Sequence, residues 1–172
     1  MATPRRRSAL GRLPKAPLDE RGARRVALDA LARRDHASFD LRRKLLAKGY
    51  DPATVTALLE RLIAERLIDD HRYAEGVVAK HAVRGWGPER IRADLRKYGL
   101  QGAAVERCVE AYPDWPERIS AARRKKFGAQ MPRSNADKLR QARFLGYRGF
   151  TSAQIRMALG FDVELDSDIE ET

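Results

Sequence analysis

Apolar residues recur along this chain at the three- and four-residue spacing of an amphipathic helix. The clearest stripe follows Asp51-Pro52 and contains Val55, Leu58, Leu59, Leu62 and Ile63. An acidic residue followed by proline is typical of a helix start: the carboxylate accepts hydrogen bonds from free backbone N–H groups, and proline needs no bond there. No stretch alternates apolar and polar residues convincingly enough for a strand. The pattern therefore predicts an all-α protein.

The stripes and their end signals predict nine helices in three groups of three. Thr151 and Gln154 have the spacing of a capping box at the start of the last helix. Either Asp69 or Asp70 is suited to cap the fourth. The expected helices lie near 19–34, 38–48 and 52–67, then 70–84, 88–98 and 103–112, then 115–127, 135–148 and 152–160.

The three groups are copies of one unit of about fifty residues. Gly49, Gly99 and Gly149 are evenly spaced, and the same offset aligns three leucines, Leu45, Leu95 and Leu145. Such small units bury little apolar area alone, so neighbours are expected to stack. The sequence predicts three tandem three-helix repeats in an elongated array that can curve. We expect a basic N-terminal tail (1–18), repeats at 19–68, 69–113 and 114–160, and an acidic C-terminal tail (161–172).

Charge adds a partner class to this picture. Lys and Arg outnumber Asp and Glu by 35 to 24, which gives a formal net charge of +11. A surplus of this size is typical of proteins that bind a polyanion, most often nucleic acid. The single cysteine excludes an intrachain disulfide, and no apolar run is long enough to span a membrane. We therefore expect a cytoplasmic protein.

Basic residues recur at related places in each repeat, which predicts a continuous positive stripe. Such a stripe contacts phosphates without reading base sequence. The alternative is an ordinary solvated helix face, with Glu89 and Asp94 reducing the charge locally. The predicted stripe consists of Arg42, Arg43, Lys44, Arg84, Arg90, Arg92, Arg96, Lys97, Arg123, Arg124, Lys125, Lys126, Arg140, Arg143 and Arg148.

The segment from Gly85 to Gly99 begins like a phosphate-binding loop but lacks its context. No strand precedes Gly85, and no Gly-Lys-Ser/Thr follows. Gly87-Pro88 instead occupies the helix start that Ala37-Ser38 fills in the first repeat. Trp86 has two interpretations: stacking on an unpaired base or a protein partner, or filling a gap between repeats.

Catalytic chemistry has little support in the sequence. Asp69, Asp70 and His71 suggest a metal site, but adjacent residues on a helix point to different faces. Cys108 aligns with Leu58 and is expected in the core. We predict no enzyme activity, no cofactor and no metal, with a metal-dependent nuclease using Asp69 and Asp70 as an alternative.

The order and spacing of several motifs resemble the RecX family of bacterial regulatory proteins. The first repeat contributes Ala30-Leu31-Ala32-Arg33-Arg34, the second contributes Ile68-Asp69-Asp70 and Arg72-Tyr73-Ala74, and the third contributes Arg148-Gly149-Phe150-Thr151. The resemblance covers about residues 20 to 160. Asp40 stands where the family usually has Glu, and the stretch 128–135 and both tails fall outside the pattern.

The resemblance implies a function that composition and periodicity do not. RecX proteins bind the RecA recombinase filament on single-stranded DNA and suppress its ATP hydrolysis, strand exchange and growth, within DNA recombination, repair and the SOS response. We therefore expect a monomeric RecA inhibitor that contacts RecA and single-stranded DNA, with double-stranded DNA as a further partner and no membrane. The alternative is a sequence-specific or architectural DNA-binding protein, because three-helix modules also place helices in the major groove.

Overall fold

The computed structural model describes residues 19–160, and both charged tails lie outside the described residues. This part of the chain is all-α, as predicted, and each helix lies within a few residues of its expected position. The helices are α1 Glu20–Leu31, α2 Ser38–Ala47, α3 Pro52–Ala64, α4 Asp70–Val83, α5 Pro88–Arg96, α6 Ala103–Glu110, α7 Trp115–Phe127, α8 Asn135–Tyr147 and α9 Ser152–Leu159.

Side-chain caps determine where several of these helices begin. The carboxylates of Asp19, Asp51 and Asp69 each accept a hydrogen bond from a backbone N–H in the first turn of α1, α3 and α4. The expected capping box of Thr151 and Gln154 is present at the start of α9. These caps satisfy N–H groups that have no partner within the helix. Local sequence is thus enough to set these boundaries.

The helices bury two cores. The first unit (α1–α3) has its own core, with Leu41, Leu45, Leu58 and Leu62 fully buried. The second unit (α4–α6) and the third unit (α7–α9) share one continuous core, which includes Cys108 as the sequence predicted. The second and third units are therefore packed into one body, and the first unit contributes Ala37 to its core.

Adjacent units meet at a joint that repeats with the fifty-residue offset. At the first joint, Gly99 has a φ of 71°, and a Cβ there would lie 2.6 Å from Cγ of Phe39. At the second joint, Gly149 has a φ of 85°, and its carbonyl accepts the backbone N–H of Glu89 at 2.9 Å. Phe39 and Glu89 are equivalent positions, as are Gly99 and Gly149. The middle helices of the first two units, α2 and α5, therefore begin against the repeat glycine of the next unit.

The next unit also caps the start of each of these two middle helices. Asp70 of the second unit accepts hydrogen bonds from the backbone N–H of Ser38 at 2.7 Å and from its hydroxyl at 2.6 Å. At α5 the caps are backbone carbonyls, and the N–H of Gly87 donates to Arg148 at 2.8 Å. A Cβ on Gly87 would lie 2.3 Å from the backbone of Gly149. Gly87 therefore permits two backbones to approach closely. Gly87 is also the N-cap of α5, which confirms that this segment starts a helix.

Candidate functional site

A cleft lies on the surface between the second and third units. It has a volume of about 250 Å³ and is bounded by the end of α4, by α7 and by the end of α8. We call its apolar lining residues the floor; they are Ala82, Val83, Ala121, Ala122 and Phe144. We call its five cationic lining residues the rim, and none of the lining residues is acidic: Arg84, Arg118, Lys125, Lys126 and Arg148.

The cleft lies where the end of α4 packs closely against α7. Gly85 follows the end of α4 with a φ of 79°, and a Cβ there would lie only 3.3 Å from Cβ of Ala122 on α7. The two helices can therefore approach closely. On α7, Arg118, Ala121, Ala122 and Lys125 recur at helical spacing, so they share the face that α4 meets.

About half of the predicted stripe is engaged elsewhere in the fold. Arg92 bridges two helices, because its guanidinium binds Glu89 at 2.8 Å and Glu106 at 2.7 Å. Four more cations of the stripe each form an ion pair with a carboxylate nearby in the sequence. The pairs are Arg43–Asp40 at 3.0 Å, Lys97–Asp94 at 3.3 Å, Arg124–Glu117 at 2.7 Å and Arg140–Asp137 at 2.9 Å. Arg42 donates to the Thr56 hydroxyl at 2.9 Å. A neighbouring carboxylate offsets part of the positive charge of the five ion-paired residues, whereas the Thr56 hydroxyl leaves the charge of Arg42 unchanged.

Arg123 corrects one part of the predicted stripe. Its side chain lies inside the third unit, with the residue only 4% exposed. The guanidinium donates to the backbone carbonyls of Gln130 at 2.9 Å and Ala129 at 3.1 Å. It therefore holds the loop between α7 and α8 and is not available to a partner. Its place in a run of four cations gives no sign that its side chain is buried, because the four differ only in the face of the helix on which they lie.

Within the described part of the chain, four cations of the cleft have no carboxylate partner, like Lys44, Arg96 and Arg143 and unlike the ion-paired members of the stripe. Among residues 19–160, no carboxylate lies within ion-pair distance of Arg84, Lys125, Lys126 or Arg148, and Arg148 only stacks over Phe144 at 5.4 Å. Arg118 is the exception, because it binds Asp114 at 3.2 Å. Arg118 was absent from the predicted stripe, although its helical spacing from Lys125 was an available signal. Lys44, Arg96 and Arg143 are exposed but line no part of this cleft.

Trp86 lies beside the joint of the second and third units. Its half-buried ring packs against their shared core and meets the His81 ring edge-on, with 4.4 Å between centroids. The Arg90 guanidinium lies 4.4 Å from the Trp86 centroid and 5.9 Å from that of Tyr147. Burial lowers the pKa of His81, although the nearby Asp94 carboxylate acts in the opposite direction. This position of Trp86 matches its gap-filling interpretation. The Tyr147 ring on the other side of Arg90 is 80% exposed.

The residues that suggested an enzyme have structural partners. Asp69 caps α4, and the hydrogen bond from the Arg72 N–H keeps the pKa of that carboxyl below its usual value. Asp70 instead binds Ser38 across the joint of the first two units. Cys108 is buried, and that burial raises the pKa of its thiol. Within residues 19–160, no group of three or more His, Cys, Asp and Glu side chains is arranged to hold a metal, and no helix is long and apolar enough to cross a bilayer.

Comparison with known protein families identifies each of the three units. Models of the first, second and third three-helix domains of RecX match residues 23–62, 69–108 and 114–159. The regulatory protein RecX of Pseudomonas syringae pv. tomato is 42% identical over 128 residues, which cover 74% of this chain and 83% of that protein. RecX of Halorhodospira halophila is 42% identical over 136 residues, covering 78% and 84%.

Solved structures agree on the fold. The crystal structure of RecX from Lactobacillus salivarius superposes with a TM-score of 0.72 at 20% identity and covers 82% of this chain and 94% of its own. A second crystal structure of regulatory protein RecX gives a TM-score of 0.67 at 23% identity, with coverage of 81% and 70%.

Fold and surface together define a tandem three-helix-repeat protein with a cationic cleft. With the three domain matches and the identity to curated relatives, the chain belongs to the RecX family of regulatory proteins. This confirms the family resemblance and the three-repeat fold. RecX proteins are regulators rather than enzymes, so membership also confirms the prediction of no enzymatic activity.

Proposed function

We propose that this protein binds the RecA filament on single-stranded DNA and restrains it. It suppresses ATP hydrolysis, strand exchange and filament growth, and it acts as a cytoplasmic monomer in DNA recombination and repair. Membership of the RecX family supports the RecA part of this proposal. The observation that supports the DNA part is the group of cations without acidic partners at the cleft.

The distribution of charge favours a regulator over a sequence-reading DNA-binding protein. Among residues 19–160, four cations without acidic partners, Arg84, Lys125, Lys126 and Arg148, lie together around one cleft. Phosphate contacts of this kind position a protein on nucleic acid without reading its sequence. The proposed regulator therefore shows little preference among DNA sequences.

The decisive experiment follows ATP hydrolysis by preformed RecA filaments on single-stranded DNA while this protein is titrated in. A parallel titration by fluorescence anisotropy determines how much of it coats the bare DNA. We expect inhibition well below the coating ratio, because the filament itself is the target. Inhibition that begins only when the DNA is coated would contradict the proposal and leave a general DNA-binding protein.

A further inference from the structure

We propose that the cleft between the second and third units binds one unpaired nucleotide of single-stranded DNA. The base lies against the apolar floor, and its flanking phosphates bind the cations at the rim, chiefly Arg84, Lys125, Lys126 and Arg148. The inference rests on the proposed function and specifies which part of the surface meets the DNA.

The first argument is the charge around the cleft. Five cations line one cleft without a carboxylate among the lining residues, and four of them have no acidic partner within residues 19–160, whereas Lys44, Arg96 and Arg143 lack such partners but line no part of this cleft. Like charges held together raise the free energy of the folded protein unless an anion neutralises them. The cleft is thus arranged for an anionic ligand.

The second argument is the floor. Val83 is 66% exposed, and with the two alanines of α7 and the ring of Phe144 it makes the floor of the cleft apolar. A phosphate or carboxylate alone does not cover such a surface. A nucleotide does, because its base and sugar present apolar faces next to the charged phosphate.

The third argument separates single strands from duplexes and from acidic peptides. In a duplex the bases are stacked inside, and only phosphates face a protein that does not enter a groove. An unpaired base can instead be splayed into a concave site. Acidic peptide side chains would satisfy the rim but would bring carboxylates, not a flat ring, to the floor. The combination of an apolar floor and a cationic rim therefore favours an unpaired nucleotide.

The first test uses the protein without RecA and measures the anisotropy of a labelled oligothymidylate. K125Q/K126Q should weaken binding and reduce the log–log salt dependence by about 0.7 for each phosphate that the protein no longer neutralises. The control R21Q/R25Q removes the same charge from two exposed positions on α1 and should have a much smaller effect. Equal weakening in both variants would show that only net charge matters and would overturn the proposal.

The second test addresses the base. An oligonucleotide with the same phosphates but abasic sites should bind at least about five-fold more weakly, since it has no ring to stack on the floor. V83E, which places a carboxylate on the floor, should also weaken binding, whereas M157E adds the same charge at another exposed position. Equal affinity for the abasic strand, equal effects of V83E and M157E, or displacement by polyglutamate as effective as by oligothymidylate would each overturn the proposal.

The RecA assay keeps this inference distinct from the proposed function. If the wild-type protein fails to inhibit RecA filaments, the proposed function fails, and the anisotropy measurements still decide whether the cleft binds a nucleotide. If inhibition occurs but K125Q/K126Q and V83E bind single strands like their controls, the cleft proposal fails and the regulatory function stands.

Discussion

Basic residues within 19–160 occupy different environments, and the environment of each decides its role. Arg123 is buried and binds the carbonyls of a loop. Arg92 is tied to Glu89 and Glu106, so it joins α5 to α6. Lys125 and Lys126 are exposed at the rim of the cleft. Residue type alone does not distinguish a cation that holds the fold from one that meets a ligand.

Replacing Arg123 separates these roles. R123A leaves the carbonyls of Ala129 and Gln130 without their charged donor, so we expect the free energy of unfolding to fall by about 1.5–3 kcal/mol. K125A, two positions along the same helix, should change it by less than about 0.5 kcal/mol because its side chain is exposed. Urea unfolding followed by circular dichroism measures both. Similar values for the two variants would contradict a structural role for Arg123.

Gly87 provides a second test at the level of single residues. G87A places a Cβ 2.3 Å from the backbone of Gly149, which cannot move without shifting the joint, so we expect a loss of about 1–3 kcal/mol in unfolding free energy. Gly76 is the matched control, since it lies in α4 and a Cβ added there would meet nothing within 4 Å. G76A should raise stability by about 0.5–1 kcal/mol, because alanine favours the helix. A stable G87A protein would mean that the two backbones do not approach so closely.

At the scale of helices, α2 depends on a cap from another unit. Its own N-cap residue, Ala37, offers no side-chain acceptor, and Asp70 of the second unit supplies one. Because the first unit has a separate core, this hydrogen bond is one of the links that hold it to the rest of the described chain. The joint is therefore a place where part of the protein can open without unfolding the whole.

Hydrogen exchange distinguishes Asp70 from its neighbour Asp69. D70A removes the acceptor for Ser38 at a cost of about 1 kcal/mol, so amides of α1–α3 should exchange about five-fold faster while α7–α9 keep their protection. D69A removes the cap of α4 itself and should affect α4 rather than the first unit. If D69A and D70A gave the same exchange pattern, the cap across the joint would not be holding the first unit.

The sequence allowed the helices to be predicted far better than the site. Caps such as Asp51 and Thr151 act within four residues, so their effect is visible in local sequence. Short-range pairs such as Asp94–Lys97 were also detectable, because residues three apart share a helix face. The pair between Arg92 and Glu106 joins separate helices, and the cleft combines α4, α7 and α8. These depend on tertiary packing, which a fifty-residue repeat does not specify.

The whole molecule combines a cationic body with an oppositely charged end. The net charge is +11, yet residues 161–172 contain several acids and no base. Within the described residues, four cations without an acidic partner line the cleft where the second and third units join. The acidic segment reduces the attraction of the chain as a whole for a polyanion, because the long-range field depends on total charge.

Removing this acidic segment tests that effect. A protein lacking residues 162–172 should bind an oligothymidylate more tightly than the full chain at about 50 mM salt, and the difference should shrink at about 300 mM as screening increases. A full-length control with the same acids changed to Asn and Gln keeps the length and removes only the charge. If the neutral segment behaves like the deletion, its charge is responsible for the weaker binding. If the neutral segment behaves like the wild-type chain, or if the deletion leaves low-salt affinity unchanged, the acids do not oppose DNA binding.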